Sequence, residues 1–248
     1  MAPVSPLLET MGLSKTFAGL QAVRSVDFRL DPGEIRAIIG PNGAGKTTFV
    51  SMISGRISPT SGRVLFRGRD ITRLRSWDRA ALGIVYTFQV TSVFRNLTAF
   101  ENVALAVQRR LMRSPLDRLA LGGRVLVTHV EAALTAVGLS GVSAEQAGEL
   151  PYGHQKLLEV AMALALRPEV LTLDEPTQGL APGEITALCG LIREISKAAT
   201  ILLIEHNMAV VLELSDKITV MDKGCVIATG TPAEIERHPD VQRSYLGA

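Results

Sequence analysis

The sequence predicts an α/β protein: a largely parallel sheet covered by helices on both faces, joined to an antiparallel β subdomain and a helical subdomain. Three patterns carry this expectation. From residue 35 onward, short apolar strands alternate with helical segments, the order that builds a parallel sheet. Nearer the N-terminus, residues 7–13 and 22–30 alternate apolar and polar side chains across a turn-like break, as antiparallel strands do. Between residue 98 and about residue 148, the apolar positions follow helical spacing instead.

Taken in order, Asp31-Pro32-Gly33-Glu34 is a turn. IRAIIG reads as a buried strand entering a glycine-rich loop, and KTTFVSMISGRI as the helix that follows. SGRVLFRGRDIT reads as another exposed β segment. Leu126, Val130, Ala133, Leu134 and Val137 recur at i, i+4, i+7, i+8 and i+11, one face of a helix. Pro115 and the Gly122-Gly123 pair divide that region into two helical parts. A helix over residues 152–167, stopped by Pro168, leads to the strand EVLTLDE. Another helix, the strand TILLIEH and a β region at KITVMDKGCVIATG complete the sheet. Thr231-Pro232-Ala233-Glu234 has a capping-box pattern with proline at the first helical position, so a closing helix starts there. The expected division assigns about residues 1–90 and 160–248 to a core with its β subdomain, and about 91–159 to the helical subdomain.

The chain has 248 residues, 47% of them hydrophobic, enough for one large domain or a domain with a grafted lobe. Its 26 Lys+Arg nearly balance 24 Asp+Glu, which gives no electrostatic case for nucleic acid or a polybasic membrane anchor. Aromatic residues amount to 4%, too few to suggest a base-stacking platform. Cys189 and Cys225 are isolated and lack metal-ligand spacing, as ordinary thiols in a reducing compartment do. The opening MAPVSPLLETMGLSK has no basic region followed by a long apolar core, so no signal peptide is expected. No apolar run approaches the roughly 20 residues of a membrane helix. The mean hydropathy of +0.25 therefore reflects a buried core, and a cytosolic protein is expected.

Gly40-Pro41-Asn42-Gly43-Ala44-Gly45-Lys46-Thr47 matches the phosphate-loop pattern G-x-x-x-x-G-K-[ST], placed between a strand and a helix as that pattern requires. Glycines let the backbone curl so that successive N–H groups face a phosphate, and the helix adds its positive end. Lys46 is expected on the β- and γ-phosphates, the Thr47 hydroxyl on Mg²⁺, and Thr48 in the same nucleotide cradle. Asp174 ends the strand VLTLD and is expected to bind Mg²⁺, with Glu175 polarising the attacking water. The plain alternative is that both acids only cap the next helix. Thr172 interrupts that strand, which is tolerable if its hydroxyl bonds locally. Gln89, in YTFQVTS, is placed to ligate Mg²⁺ or orient water and to report nucleotide state to the helical lobe. His206 closes another buried strand on the same edge, where ligands of such sheets bind, and is expected to contact the γ-phosphate. His129, His154 and His238 are read as structural side chains.

In order and spacing, the phosphate loop, Gln89, LPYGHQ, LTLDEP and His206 resemble an ATP-binding cassette ATPase over essentially the whole chain. The resemblance implies a P-loop NTPase (RecA-like) core with the antiparallel β subdomain and a helical signature subdomain. It implies that Phe17 stacks on adenine and that two cassettes sandwich two ATP molecules, each between one phosphate loop and the other subunit's signature. Leu150, Pro151, Tyr152, Gly153, His154 and Gln155 are the signature residues here. TQGLAP would line the dimer seam, although it lacks the aspartate often found there. TFQVTSVFRNLTAFENVALA, the L-x-Y-G-x-Q signature and GTPAEIERHPDVQRSYLG resemble importers of branched-chain and related amino acids. Urea and short-amide importers share much of this spelling. Transmembrane permease subunits, a second cassette and, indirectly, a periplasmic or extracellular substrate-binding protein are the implied partners. The implied place is the cytoplasmic face of the membrane, with ATP and Mg²⁺ bound and no nucleic acid.

Proline and tyrosine stand at 151 and 152 where such signatures usually carry serine and glycine. Pro151 suits a first helical turn, where its missing N–H has no intrahelical partner. The following N–H groups, with Gly153 permitting close approach, still offer positive charge to a phosphate. Two other classes fit less. A cassette working on ribosomes or DNA usually needs a second cassette, a long coiled coil or basic extensions. A small-molecule kinase would leave the signature helix and His206 without a role.

Overall fold

The computed structural model describes residues 5–87, 92–111 and 123–245. An antiparallel sheet is formed by β1 (Leu8–Phe17), β2 (Leu20–Leu30), β4 (Ser61–Phe66) and β5 (Arg69–Asp70), in the order β2-β1-β4-β5. The central sheet contains β3 (Ile35–Ile39), β6 (Ile84–Tyr86), β7 (Val170–Asp174), β8 (Thr200–Ile204), β9 (Lys217–Asp222) and β10 (Cys225–Gly230). Its order is β10-β9-β3-β8-β7-β6, with β10 antiparallel at one edge and every other pair parallel.

Strands of this sheet are apolar on both faces because both faces are covered. Every residue of β3, β7 and β8 is buried. Leu171, Leu173, Ile201 and Leu203 face one core, shared with α3 (Ala99–Leu111), α4 (Gly123–Ala136), α5 (Tyr152–Ala165) and α6 (Pro182–Ser196). The alternate residues Val170, Leu202 and Ile204 face a second core, with Phe28, Phe49 and Val64 from β2, α1 (Lys46–Ile53) and β4. A third, smaller core lies under α7 (Met208–Leu214), α8 (Pro232–Glu236) and α9 (Pro239–Tyr245). Thr172 occupies a fully buried place in β7, yet its hydroxyl finds no partner among the described residues. The expected local bond is thus not made; only the Thr172 carbonyl is engaged, by the Thr87 N–H at 2.9 Å and the Thr87 hydroxyl at 3.2 Å.

The helical face read from the sequence is the packed one: Val130, Ala133, Leu134 and Val137 are buried, and Leu126 packs at their edge. Pro115 lies outside the described residues; α4 begins at Gly123. The helix starting at Tyr152 ends at Ala165, two residues before the expected limit. Arg167 takes a left-handed φ of 53°, and Pro168 cannot continue a helix. The Thr231 capping box is formed, with its N–H and hydroxyl donating to Glu234 at 2.7 and 2.9 Å. Both cysteines are free, Cys189 buried and Cys225 half-buried. Among the described residues no helix is long and apolar enough to cross a membrane.

One buried cation holds α1 in place. Arg79, in α2 (Ser76–Ala81), is 1% exposed. Its guanidinium donates to the carbonyls of Met52 and Ile53 at 2.7 Å each, Thr72 at 2.8 Å and Leu74 at 3.0 Å. Met52 and Ile53 end α1, where helical carbonyls lack intrahelical partners. Burial lowers the Arg79 pKa to about 10, so the group stays charged at neutral pH. Arg79→Met removes the guanidinium from four carbonyls, of which only that of Met52 keeps another donor, the Gly55 N–H at 3.3 Å, among the described residues. It should cost about 3 kcal/mol or more in chemical denaturation, whereas a change within about 0.5 kcal/mol would mean the network contributes little.

Candidate functional site

The loop after β3 is threaded so tightly that two of its glycines have no room for a side chain. A Cβ on Gly40 would run into the Met221 carbonyl of β9, and one on Gly45 into the Ala22 carbonyl of β2. Gly43 and Gly45 take positive φ values of 81° and 95°, which glycine adopts without strain. Pro41 accepts the Ala44 N–H at 3.1 Å, closing the curl. Gly45 is the N-cap of α1 and no side chain caps that end, so the first helical N–H groups stay open to an anion. Lys46 is buried and folds back onto the loop, donating to the carbonyls of Gly40 at 2.6 Å and Pro41 at 3.1 Å. Burial lowers its pKa, and the nearby Glu175 and Asp174 partly oppose that shift. Thr47 is exposed and Thr48 half-buried at the same helix start.

Two neighbouring strands end beside this loop. Asp174, the last residue of β7, and the adjoining Glu175 are both buried. Glu175 adopts a left-handed φ of 50°, and its N–H donates to the Ile204 carbonyl of β8 at 2.8 Å. That bend brings Glu175 Oε1 onto His206 Nε2. Burial raises the Asp174 pKa, the Tyr86 hydrogen bond opposes the rise, and the Glu175 charge adds to it. Lys46, Asp174, Glu175 and His206 therefore meet at one edge. Asp174 Oδ1 is buried and has no partner among the described residues. It and the Thr47 hydroxyl are both hard oxygen donors, the type Mg²⁺ prefers. Gln89 lies outside the described residues.

Phe17 stands exposed at the end of β1, with the Lys15 ammonium 5.0 Å from its ring centre. The contact between Ala22 and Gly45 sets this hairpin beside the phosphate loop. The signature residues make their contacts elsewhere. Pro151 is the N-cap of α5, not its first helical residue, because its ψ of 150° is extended. Its carbonyl accepts the Gln155 N–H at 3.0 Å, and the Gln155 amide donates to the Leu150 carbonyl at 2.8 Å. Leu150 is buried, and Tyr152 is exposed beside Gly179. Gly153 lies against the Glu184 carboxylate of α6, which a Cβ at 153 would displace. His154 is half-buried, and its Nδ1 has no partner among the described residues.

Sequence reasoning passed over two groups that the fold puts in the site. Tyr86, ending β6, donates its hydroxyl to Asp174 Oδ2, and the Arg56 guanidinium stacks 4.6 Å from its ring centre. Burial pushes the phenol pKa up and the bond to Asp174 pushes it further, so it acts as a donor. Its signal was its place ending GIVY, a short apolar strand; that this strand pairs with VLTLD is a tertiary fact. Glu205, between ILLI and His206, is the other.

A glycine-lined anion cradle with a lysine and two strand-end carboxylates binds a nucleoside triphosphate and acts on its terminal phosphate, as P-loop NTPases do. Known proteins give the family. The family described as "ABC transporter" matches residues 23–178, and that described as "Branched-chain amino acid ATP-binding cassette transporter" matches residues 225–248. The high-affinity branched-chain amino acid transport ATP-binding protein LivG of Escherichia coli (strain K12) is 40% identical, with 98% of each chain covered. BraF of Pseudomonas aeruginosa, described by the same function, is 38% identical over the same shares. A crystal structure of the ADP conformation of an ATP-binding cassette of an ABC transporter superposes with a TM-score of 0.85 at 30% identity. It covers 98% of this chain and 100% of that one. The chain belongs to the ABC transporter family and is one of its ATP-binding cassettes, an ATPase.

Tyr86→Phe keeps the ring and the Arg56 contact but removes the donor to Asp174. Burial then acts on Asp174 with less opposition, so its pKa should rise. If the ionised carboxylate is the working form of Asp174, the acidic limb of the ATPase pH profile should move to higher pH. Superimposable profiles for Tyr86→Phe and native protein would refute this role.

Proposed function

We propose that this cassette powers an importer of branched-chain or other hydrophobic amino acids, from the cytoplasmic face of the membrane. The meeting of Lys46, Asp174, Glu175 and His206 at one sheet edge carries the ATPase reading. The match of residues 225–248 supports the cargo. A urea or short-amide importer is the alternative cargo class.

Lys46 leaves the Gly40 and Pro41 carbonyls and turns to the β- and γ-phosphates, which return the charge partners that burial denies it. The N–H groups of residues 43–48 hold the β-phosphate, and Phe17 stacks on adenine. Thr47 and Asp174, with Gln89, would hold Mg²⁺, which would supply positive charge beside the phosphate oxygens. Glu175 polarises the attacking water, and His206 exchanges its contact with Glu175 for one with the γ-phosphate. A second cassette, identical or related, supplies residues 150–155 across the dimer. The helical subdomain is assigned to about residues 91–159, of which 92–111 and 123–159 are described, and a substrate-binding protein outside the membrane delivers cargo to the permeases.

Glu175→Gln should lower kcat about a hundredfold or more, the range for losing a positioned base, with ATP affinity by calorimetry nearly unchanged. Lys46→Ala should instead weaken ATP binding itself. Near-native phosphate release from Glu175→Gln would assign the water to another residue.

Permease docking is read at the loop preceding α3. Asn102, fully buried, fixes this loop: its Oδ1 accepts the Phe94 N–H at 2.8 Å, and its Nδ2 donates to the Thr98 carbonyl at 2.9 Å. The loop holds Phe94 outward, 54% exposed, a large apolar ring on a rigid support. A cysteine at Asn96, in a Cys225→Ser background, should crosslink to a membrane subunit of the assembled transporter. Failure to crosslink in a fully active complex would rule out this surface.

A further inference from the structure

Glu205 is 2% exposed, and its carboxylate is shared between two loops. Oε1 accepts the Thr177 N–H at 2.9 Å and the Thr177 hydroxyl at 2.5 Å. Oε2 accepts the N–H groups of His206 at 3.1 Å and Asn207 at 3.3 Å. Bonds to a charged acceptor are about twice as strong as neutral ones, and a buried network with every member satisfied is rigid. A plain helix cap does not explain the residue, because Asn207 caps α7, its Oδ1 accepting the Ala209 and Val210 N–H groups at 3.1 and 3.4 Å. Core filling does not explain it either, since an apolar side chain would fill that space without a charge to satisfy.

Its two partners flank the catalytic pair. Thr177 lies two residues after Glu175, and His206 follows Glu205 directly. The Glu175 N–H is bound to the Ile204 carbonyl, and the His206 ring meets the Glu175 carboxylate. We propose that Glu205 is a positioning residue for ATP hydrolysis. Its carboxylate locks the loop after β7 to the loop after β8 and so sets the spacing between Glu175 and His206. The locked loop continues to Gly179, which lies against the Tyr152 ring, so His206 and the start of the signature helix share one tether. This rests on the ATPase reading above.

Glutamine at 205 keeps the shape but turns an NH₂ group toward N–H donors. In the assembled transporter, Glu205→Gln should lower kcat by about tenfold or more, the scale of lost bonds to a charged group. ATP affinity by calorimetry should change by less than about threefold, since no phosphate contact is removed. Thr177→Val, which loses only the hydroxyl, should lower kcat in the same direction by less, and it carries the test if Glu205→Gln does not fold. In a His206→Ala background, Glu205→Gln should cost little more, because the side chain it positions is gone. Native-like kcat in Glu205→Gln and Thr177→Val, or a loss that is fully additive with His206→Ala, would overturn the proposal. A native transporter that hydrolyses no ATP would instead refute the ATPase reading and leave no reaction to position.

Discussion

The site exists because three parallel strands end at the same level. Ile38 of β3 and Asp174 of β7 both pair with Ile204 of β8, so the chain leaves all three strands side by side. β3 gives way to the phosphate loop, β7 to Glu175, and β8 to Glu205 and His206. Side chains alternate along a strand, so a one-residue slip would turn every inward residue to the other face. The register is protected by burial: Leu171, Leu173, Ile201 and Leu203 pack on one side, and Val170, Leu202 and Ile204 on the other. Hydrophobic packing of both faces thus fixes, indirectly, where the polar groups meet.

Those polar groups form a charge cluster in which Lys46, Asp174 and Glu175 are buried and His206 stands at the exposed margin. Lys46 and Asp174 are each disfavoured in their charged forms by burial, and each is partly relieved or burdened by the others. The present partners are protein groups: two loop carbonyls for Lys46, the Tyr86 hydroxyl for Asp174, His206 for Glu175. In the mechanism proposed above, each gives way to a phosphate oxygen, a metal or a water. Such substitution of one preformed set of contacts for another is how a buried site admits a highly charged ligand.

The scaffold was legible because its causes are local. Apolar runs bounded by Gly and Pro marked β3, β7 and β8, and the i, i+4, i+7 spacing marked α4. The loop at residues 40–47 and the order of Asp174, Glu175 and His206 were readable because phosphate chemistry demands those residue types. What could not be read depends on neighbours distant in sequence. Tyr86 reaches Asp174 only because β6 pairs with β7, and Glu205 gains meaning only when residue 177 lies beside it. At Pro151, a φ near −52° suits both an N-cap and a first helical residue, and only ψ separates them. Thr172 shows the reverse case: its strand was predicted, but its buried hydroxyl finds no partner among the described residues.

The unusual signature follows from the same logic of backbone over side chain. α5 starts with no side-chain cap and no acidic residue in its first turn. Its leading N–H groups are therefore not masked by a cap, and the helix dipole adds positive potential there. Serine at 151 would bring a hydroxyl able to cap the first-turn N–H groups, whereas proline has none and leaves them uncapped for an external acceptor. Gly153 lies against the Glu184 carboxylate of α6, and Tyr152 lies against Gly179 on the loop tethered by Glu205. The helix end is thus placed by contacts within its own chain. In the proposed dimer its chemistry rests on the main-chain N–H groups from residue 152 onward, which do not depend on the side chain at 151.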